Sequence, residues 1–205
     1  MSLILDINGV LITDPKLLDH LKSNCENYVK MKMPDRPDTK YINHIMHQIY
    51  GHAGKGIARE FKIDTSDFND FVYDKKLNDH LWSVLSGTEF QQEAELLSRM
   101  INDGWDISLF SNNPLVWSLP VSRAICDKVK VVYNENKMKP DLIAYTQFPE
   151  VKHIYVDANV KNLLPAHWLL GWETIHFEQG SIVPLYSYLC TNHSKQLRSP
   201  DQHNR

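Results

Sequence analysis

The chain has 205 residues, with 22 Lys and Arg against 25 Asp and Glu, giving a formal net charge of −3. Its composition, 42% hydrophobic, 10% aromatic and 23% charged, excludes disorder as the dominant state, because enough apolar surface is present to offset chain entropy. The mildly acidic balance, with a pI near 6.3, argues against a protein that grips a nucleic-acid backbone, since such proteins carry a basic excess. The most apolar stretch, residues 163–172, contains Pro165 and His167 and is about half as long as a membrane crossing requires. A chain of this size buries roughly 70% of its unfolded surface, which leaves room for one core and a small accessory domain. Asp6 interrupts the first apolar residues and no basic segment precedes them, so no signal peptide is expected. Cys25, Cys126 and Cys190 are odd in number and form no CxxC pair. Neither a zinc site nor a disulfide framework is expected, and a reducing cytoplasmic location is.

In chain order, short apolar, β-branched runs at residues 3–5, 107–110, 129–133, 153–156 and 174–177 read as buried strands, too short for helices. Between the first two lies a stretch with few strand signals and several helical ones, at residues 16–31, 41–49 and 57–61, interrupted by Pro34-Asp35-Arg36-Pro37. Residues 93–101 (EAELLSRMI) are amphipathic with helical spacing and stop before Gly104. Residues 161–170 form a second such segment, ending at Gly171 and containing Pro165. Alternating strands and helices predict parallel pairing through crossovers, hence a three-layer, Rossmann-like α/β core. The expected division is an α/β core from residues 1–14 and 87–190, a mostly helical inserted cap from residues 15–86, and a loose polar tail from residues 191–205.

Ligands of open parallel sheets bind at the carboxyl ends of the strands. The residues there are Asp6-Ile7-Asn8-Gly9, Ser111-Asn112-Asn113, Lys139-Pro140-Asp141 and Asp157-Ala158-Asn159. Converging carboxylates suit Mg²⁺. A hydroxyl and an ammonium suit phosphoryl oxygens, and a strand-end carboxylate can be a nucleophile. Each motif alone has a plainer reading. Asn8-Gly9 between apolar flanks fits a type I′ hairpin turn, Ser111-Asn112 and Asp157 fit helix caps, and Lys139-Pro140-Asp141 fits a loop entering a helix. Their order along the chain is what distinguishes them.

That ordered set resembles the haloacid dehalogenase (HAD) superfamily. Residues 3–11 (LILDINGVL) are similar to its hydrophobic strand followed by D-x-D-G-x-[TV], and residues 109–112 (LFSN) to its second motif. Lys139-Pro140-Asp141 is similar to the third motif. Residues 154–162 (IYVDANVKN), followed by Gly171 and Ile175, are similar to the fourth, D-D-x-x-x-N before G-x-x-x-I. The resemblance covers residues 2–178. More loosely, residues 50–56 (YGHAGKG) are similar to the cap of pyrimidine 5′-nucleotidase-like members, though a glycine-punctuated helix junction reads equally well.

The resemblance implies a phosphatase for a small phosphorylated metabolite, a nucleotide among the options, with a cap that selects substrates. It makes Asp6 the nucleophile, Ser111 and Asn112 phosphate-binding groups, and Lys139 the balancing charge on nucleophile and phosphoryl group. It makes Asp6, the main-chain carbonyl of Asn8 and Asp157 the ligands of Mg²⁺.

Two positions depart from the pattern. Family phosphatases carry at position 8 an aspartate that protonates the leaving group and then activates water. Asn8 cannot exchange that proton, and losing a general acid/base costs about 10²- to 10⁴-fold in rate. Ala158 replaces the second acidic residue of the fourth motif, which weakens the expectation of Mg²⁺. The sequence therefore leaves three readings open: a slow hydrolase, a catalytically silent ligand- or protein-binding member, and a metal-independent dehalogenase-like hydrolase. Asn8-Gly9 is also a pair prone to deamidation. His44 and His47, spaced i, i+3, read as a helix face more readily than as metal ligands. Trp82, Trp105, Trp117, Trp168 and Trp172 are expected in the core or at the cap interface.

Overall fold

The computed structural model describes residues 2–178 and 180–197. Five strands, β1 (Ser2–Leu5), β2 (Asp106–Phe110), β3 (Lys130–Val132), β4 (His153–Asp157) and β5 (Glu173–His176), form one parallel sheet in the order β3-β2-β1-β4-β5. The central strand β1 is flanked on both sides, with Leu5 opposite Leu109 on β2 and opposite Val156 on β4. This register carries Asp6, Phe110 and Asp157 to a common level at the carboxyl edge, and the Asp6 N–H donates to the Val156 carbonyl at 2.9 Å.

Alternation along the strands separates two apolar layers. Leu3, Leu5, Ile107, Leu109, Ile154 and Val156 face one cluster, completed by α6 (Thr88–Asn102), α7 (Leu115–Ile125) and α10 (Val183–Leu197). Ile4, Phe110 and Tyr155 face the other, completed by α8 (Leu142–Tyr145), α9 (Val160–Leu170) and Trp172. The architecture is thus three-layered α/β.

Between β1 and α6 the chain forms α1 (Pro15–Lys32), α2 (Thr39–Tyr50), α3 (Ala53–Phe61), α4 (Phe68–Val72) and α5 (Lys75–Leu85). Local chemistry sets their starts. The Asp14 carboxylate accepts the Leu17 N–H at 2.7 Å ahead of Pro15, and Asp74 accepts the Leu77 N–H at 2.8 Å. Leu17, Tyr28, Ile57, Phe68 and Leu77 of these helices join the same apolar cluster that lines one face of the sheet. The inserted helices therefore share a core with the body instead of closing one of their own.

Some expectations need correction. Helix α10 continues to Leu197, so residues 191–197 of the expected loose tail are helical, and residues 198–205 lie outside the described residues. Polar composition concealed the helix because its apolar residues, Leu185 and Leu189 among them, dock against the sheet layer. Of the five tryptophans, Trp105, Trp117 and Trp172 are buried, but Trp82 is 52% exposed and Trp168 75% exposed. Among the described residues, no helix is long and apolar enough to cross a membrane.

Candidate active site

The carboxyl edge of the sheet is organised around Lys139, which is 1% exposed. Its Nζ donates to Asp6 Oδ1 at 2.8 Å, to Asp157 Oδ2 at 2.8 Å and to the Phe110 carbonyl at 2.7 Å. Three ammonium protons thus meet three acceptors. The Phe110 and Tyr155 rings lie 5.1 and 5.7 Å from the same nitrogen, adding their quadrupoles to its stabilisation. Asp157 and Asp6 outweigh burial, which opposes its charge, and hold the Lys139 ammonium above its ordinary value.

The two carboxylates differ. Asp157 is fully buried. Its Oδ1 accepts from the Asn159 N–H at 2.7 Å and Asn162 Nδ2 at 3.2 Å, and its Oδ2 accepts from Lys139, from Asn162 Nδ2 at 3.0 Å and from the Tyr155 hydroxyl. The Asp6 side chain keeps 14% exposure and borders a cavity of about 550 Å³ that reaches from the sheet edge to the inserted helices. Burial, with the Asp157 charge adding to it, raises the Asp6 carboxyl to about 6 against the opposing pull of Lys139.

Asn8 lies beyond Asp6 on a tight turn in which the Gly9 N–H donates to the Ile12 carbonyl at 2.9 Å. The plainer reading of Asn8-Gly9 as a two-stranded hairpin does not hold, because β1 pairs with β2 and β4. The buried Trp117 donates its indole N–H to Asn8 Oδ1 at 3.0 Å. Deamidation requires the Gly9 nitrogen to attack the Asn8 side chain, so both hydrogen bonds oppose it. Gly9 has φ +83°, and a Cβ added there would lie 2.7 Å from the Ala158 methyl. Ala158 thus packs against the turn at the position where the resemblance expects a carboxylate.

The second motif divides its labour. Ser111 is buried and its Oγ accepts the Asn113 N–H at 3.0 Å; it is not part of the cavity wall. Nor is it a helix cap, since Pro114 holds that position before α7. Asn112 clasps the third motif, accepting the Lys139 N–H at 2.9 Å and donating to the Lys139 carbonyl at 2.8 Å and the Gly51 carbonyl at 3.1 Å. With both amide protons engaged, the Asn112 side chain holds Lys139 and the α2–α3 turn together. This corrects its expected role as a phosphate donor. Gly51 is required at that turn: its φ is +68°, and a Cβ would lie 1.9 Å from the Lys139 carbonyl oxygen.

A second cavity, of about 290 Å³, lies among the inserted helices and shares Asn8, His47, Gly51, Asn112 and Asn113 with the first. Leu18, Leu21, Phe68 and Tyr73 supply its apolar wall. Burial, then His44, lowers His47, and burial pushes His52 down to about 4, so both line the cavity as neutral rings. Enclosed polar atoms on these walls, Asn43 Oδ1 and Asn113 Nδ2 among them, have no hydrogen-bond partner among the described residues.

The donor set fits Mg²⁺ poorly at Asp157. Mg²⁺ requires oxygen ligands with free lone pairs in near-octahedral array. Every Asp157 oxygen is committed to donors, one of them cationic, and position 158 is a methyl group. The expected assignment of Asp157 as a metal ligand is therefore corrected. One Asp6 oxygen and the Asn8 carbonyl remain, so any Mg²⁺ shell would have to be completed by waters and substrate phosphate. Among the described residues, no cluster of three or more His, Cys, Asp or Glu residues is arranged to hold a metal ion.

Asp6, Lys139 and Asp157 come together as expected from the sequence, and Asn8 joins Asp6 on the cavity wall. The sequence assigned no site role to Trp117, Tyr155 or Gly51, and placed Asn113 at a strand end without a role. Tyr155 had a signal, since it shares a strand face with Asp157 at i, i+2. Trp117 had none, standing 109 residues from Asn8.

No family model matches this chain. No curated protein matches it. Among solved structures, the UTR4 protein (Unknown transcript 4 protein) of Saccharomyces cerevisiae is similar at 13% identity and a TM-score of 0.42, covering 85% of this chain and 88% of its own.

Proposed function

We propose that this chain is a HAD-type hydrolase that acts slowly on a small phosphorylated metabolite through an aspartyl-phosphate on Asp6. The observation that carries this reading is the Asp6–Lys139 pair. One carboxylate oxygen is held at 2.8 Å by a buried ammonium while the side chain borders a 550 Å³ cavity. Lys139 orients the nucleophile and offsets charge as the phosphoryl group approaches. Asp157 acts on Lys139 and not on the ligand. Its complete hydrogen bonding keeps the ammonium charged and fixed in a site that burial would otherwise neutralise.

Attack by an Asp6 oxygen on phosphorus breaks the bond to the bridging oxygen, and water then hydrolyses the acyl phosphate. Asn8 supplies a proton to neither step, so turnover is slow. Phosphate release from p-nitrophenyl phosphate, abolished by Asp6→Asn, tests the proposal. Absence of release and of a phosphorylated Asp6 in the wild-type protein would overturn it.

A second reading has a specific observation behind it. The sealed Asp157 and the Ala158 methyl suit a protein that retains the pocket for binding and has abandoned turnover. Saturable binding of inorganic phosphate without phosphate release, and gain of turnover in Asn8→Asp/Ala158→Asp, would favour it.

A further inference from the structure

Asn8 stands where the two cavities meet. It lines both the 550 Å³ space over Asp6 and the 290 Å³ space among the inserted helices. A ligand with its phosphoryl group at Asp6 and its organic part in the apolar space passes its bridging oxygen by Asn8. Indole N–H is a donor only, so the bond from Trp117 Nε1 obliges residue 8 to present an acceptor. The amide oxygen meets that demand, which leaves the Nδ2 protons for the site. Trp117 is itself immobilised: it is fully buried, and Tyr73 of the inserted region lies edge-on to it at 5.7 Å.

We propose that Trp117 is a positioning residue that locks Asn8 as a hydrogen-bond donor, and that this donor restricts the site to phosphoryl compounds whose bridging oxygen departs as a stable anion, acyl phosphates foremost. The proposal rests on the Asp6 phosphoryl reading above and adds the substrate class. In the transfer, an Asp6 oxygen bonds to phosphorus and the P–O bond to the leaving group breaks. Its electron pair leaves on the departing oxygen as a carboxylate, which needs no proton. The Asn8 N–H stabilises that oxygen without transferring hydrogen. An alkoxide leaving group requires an acid, and position 8 has none. The wall of Leu18, Leu21, Phe68 and Tyr73, with His47 and His52 neutral, takes an apolar organic substituent, and the Lys22 side chain lines the same space.

The pair also sets what an acid at position 8 would do. A carboxylate there would accept the same indole N–H, which favours its ionised form and weakens it as an acid.

The test uses the full chain and three variants, with acetyl phosphate and methyl phosphate as substrates and inorganic phosphate as a binding probe. Wild-type protein is expected to consume acetyl phosphate and to leave methyl phosphate unchanged. Asn8→Asp should narrow the ratio of the two rates by about tenfold or more, within the range of acid–base effects. Adding Trp117→Phe should narrow it again and move the basic limb of the methyl phosphate pH profile upward, which a purely structural tryptophan would not do. Asn8→Ala, which removes the acceptor of the Trp117 N–H, should weaken phosphate binding several-fold and shift the indole ¹⁵N–¹H resonance of Trp117. An Asn8→Asp ratio equal to wild type, or an unmoved pH profile and indole resonance, overturns the proposal while phosphate binding by the wild-type protein leaves the Asp6 reading standing. Failure of the wild-type protein to bind phosphate or to react with acetyl phosphate overturns both.

Discussion

The floor and the wall of the site are built on opposite rules. The floor, made of Lys139, Asp157, Tyr155 and Asn162, is sealed, and every donor named there has an acceptor. The wall, made of Asn8, Asn113, Asn43 and the neutral histidines, keeps polar atoms without partners among the described residues. A buried charge is tolerated only when paired and hydrogen-bonded, so the floor resists change and holds Asp6 in place. The wall retains unused hydrogen-bonding capacity, which is what a ligand needs. In the proposed reading a ligand is therefore met by the wall, and Asp157 belongs to the floor.

Breaking the floor should produce the largest effect. Lys139→Met leaves Asp157 and Asp6 buried without their cation and should cost about 3–5 kcal/mol of stability in urea denaturation. A loss under 1 kcal/mol would mean that the two carboxylates re-pair elsewhere.

Asp6 should show the wall's character. Its carboxyl is raised from 3.8 to about 6, first by burial and then by Asp157. The folded state binds that proton more tightly than the unfolded state, so this contribution is present below pH 4 and lost as pH rises through 6. Asp6→Asn should therefore raise the melting temperature by several degrees at pH 7.5 while changing it little at pH 4. The acid limb of wild-type turnover should fall near pH 6, not near pH 4.

Gly51→Ala addresses the seam between the two regions. The added Cβ meets the Lys139 carbonyl in a left-handed backbone, a combination worth about 1–3 kcal/mol. Limited proteolysis should detect the loosened α2–α3 turn. The smallest effect is expected at the rim, where Lys55 and Asp141 pair at 3.4 Å with 27% and 61% side-chain exposure. Lys55→Ala should change stability by less than about 1 kcal/mol, and a larger loss would give that latch a weight its geometry does not suggest.

Much of this architecture is encoded locally. Strand runs, helix periodicity, and the caps at Asp14 and Asp74 depend on neighbours a few residues away. The parallel sheet brings strand ends to one edge whatever the loops do, which is why Asp6 and Asp157 were legible together, whereas Lys139 reaches them from the loop after β3. The failures share a cause. Asn112 reads as a phosphate donor until its amide is found holding Gly51 and Lys139, 61 and 27 residues distant. Asp157 reads as a metal ligand until Tyr155, Asn162 and Lys139 are found to occupy its lone pairs. Residues 191–197 read as a tail because they are polar, and they continue a helix whose earlier turns, with Leu185 and Leu189, dock against the sheet layer.

The amide at position 8 and the methyl at position 158 are visible in the chain alone. They acquire meaning only in three dimensions. The Ala158 methyl fills space beside the Gly9 turn, and Asn8 is turned by an indole 109 residues away. A linear pattern records which groups a site possesses. Which of their lone pairs and protons remain free depends on partners that only folding brings within 3 Å.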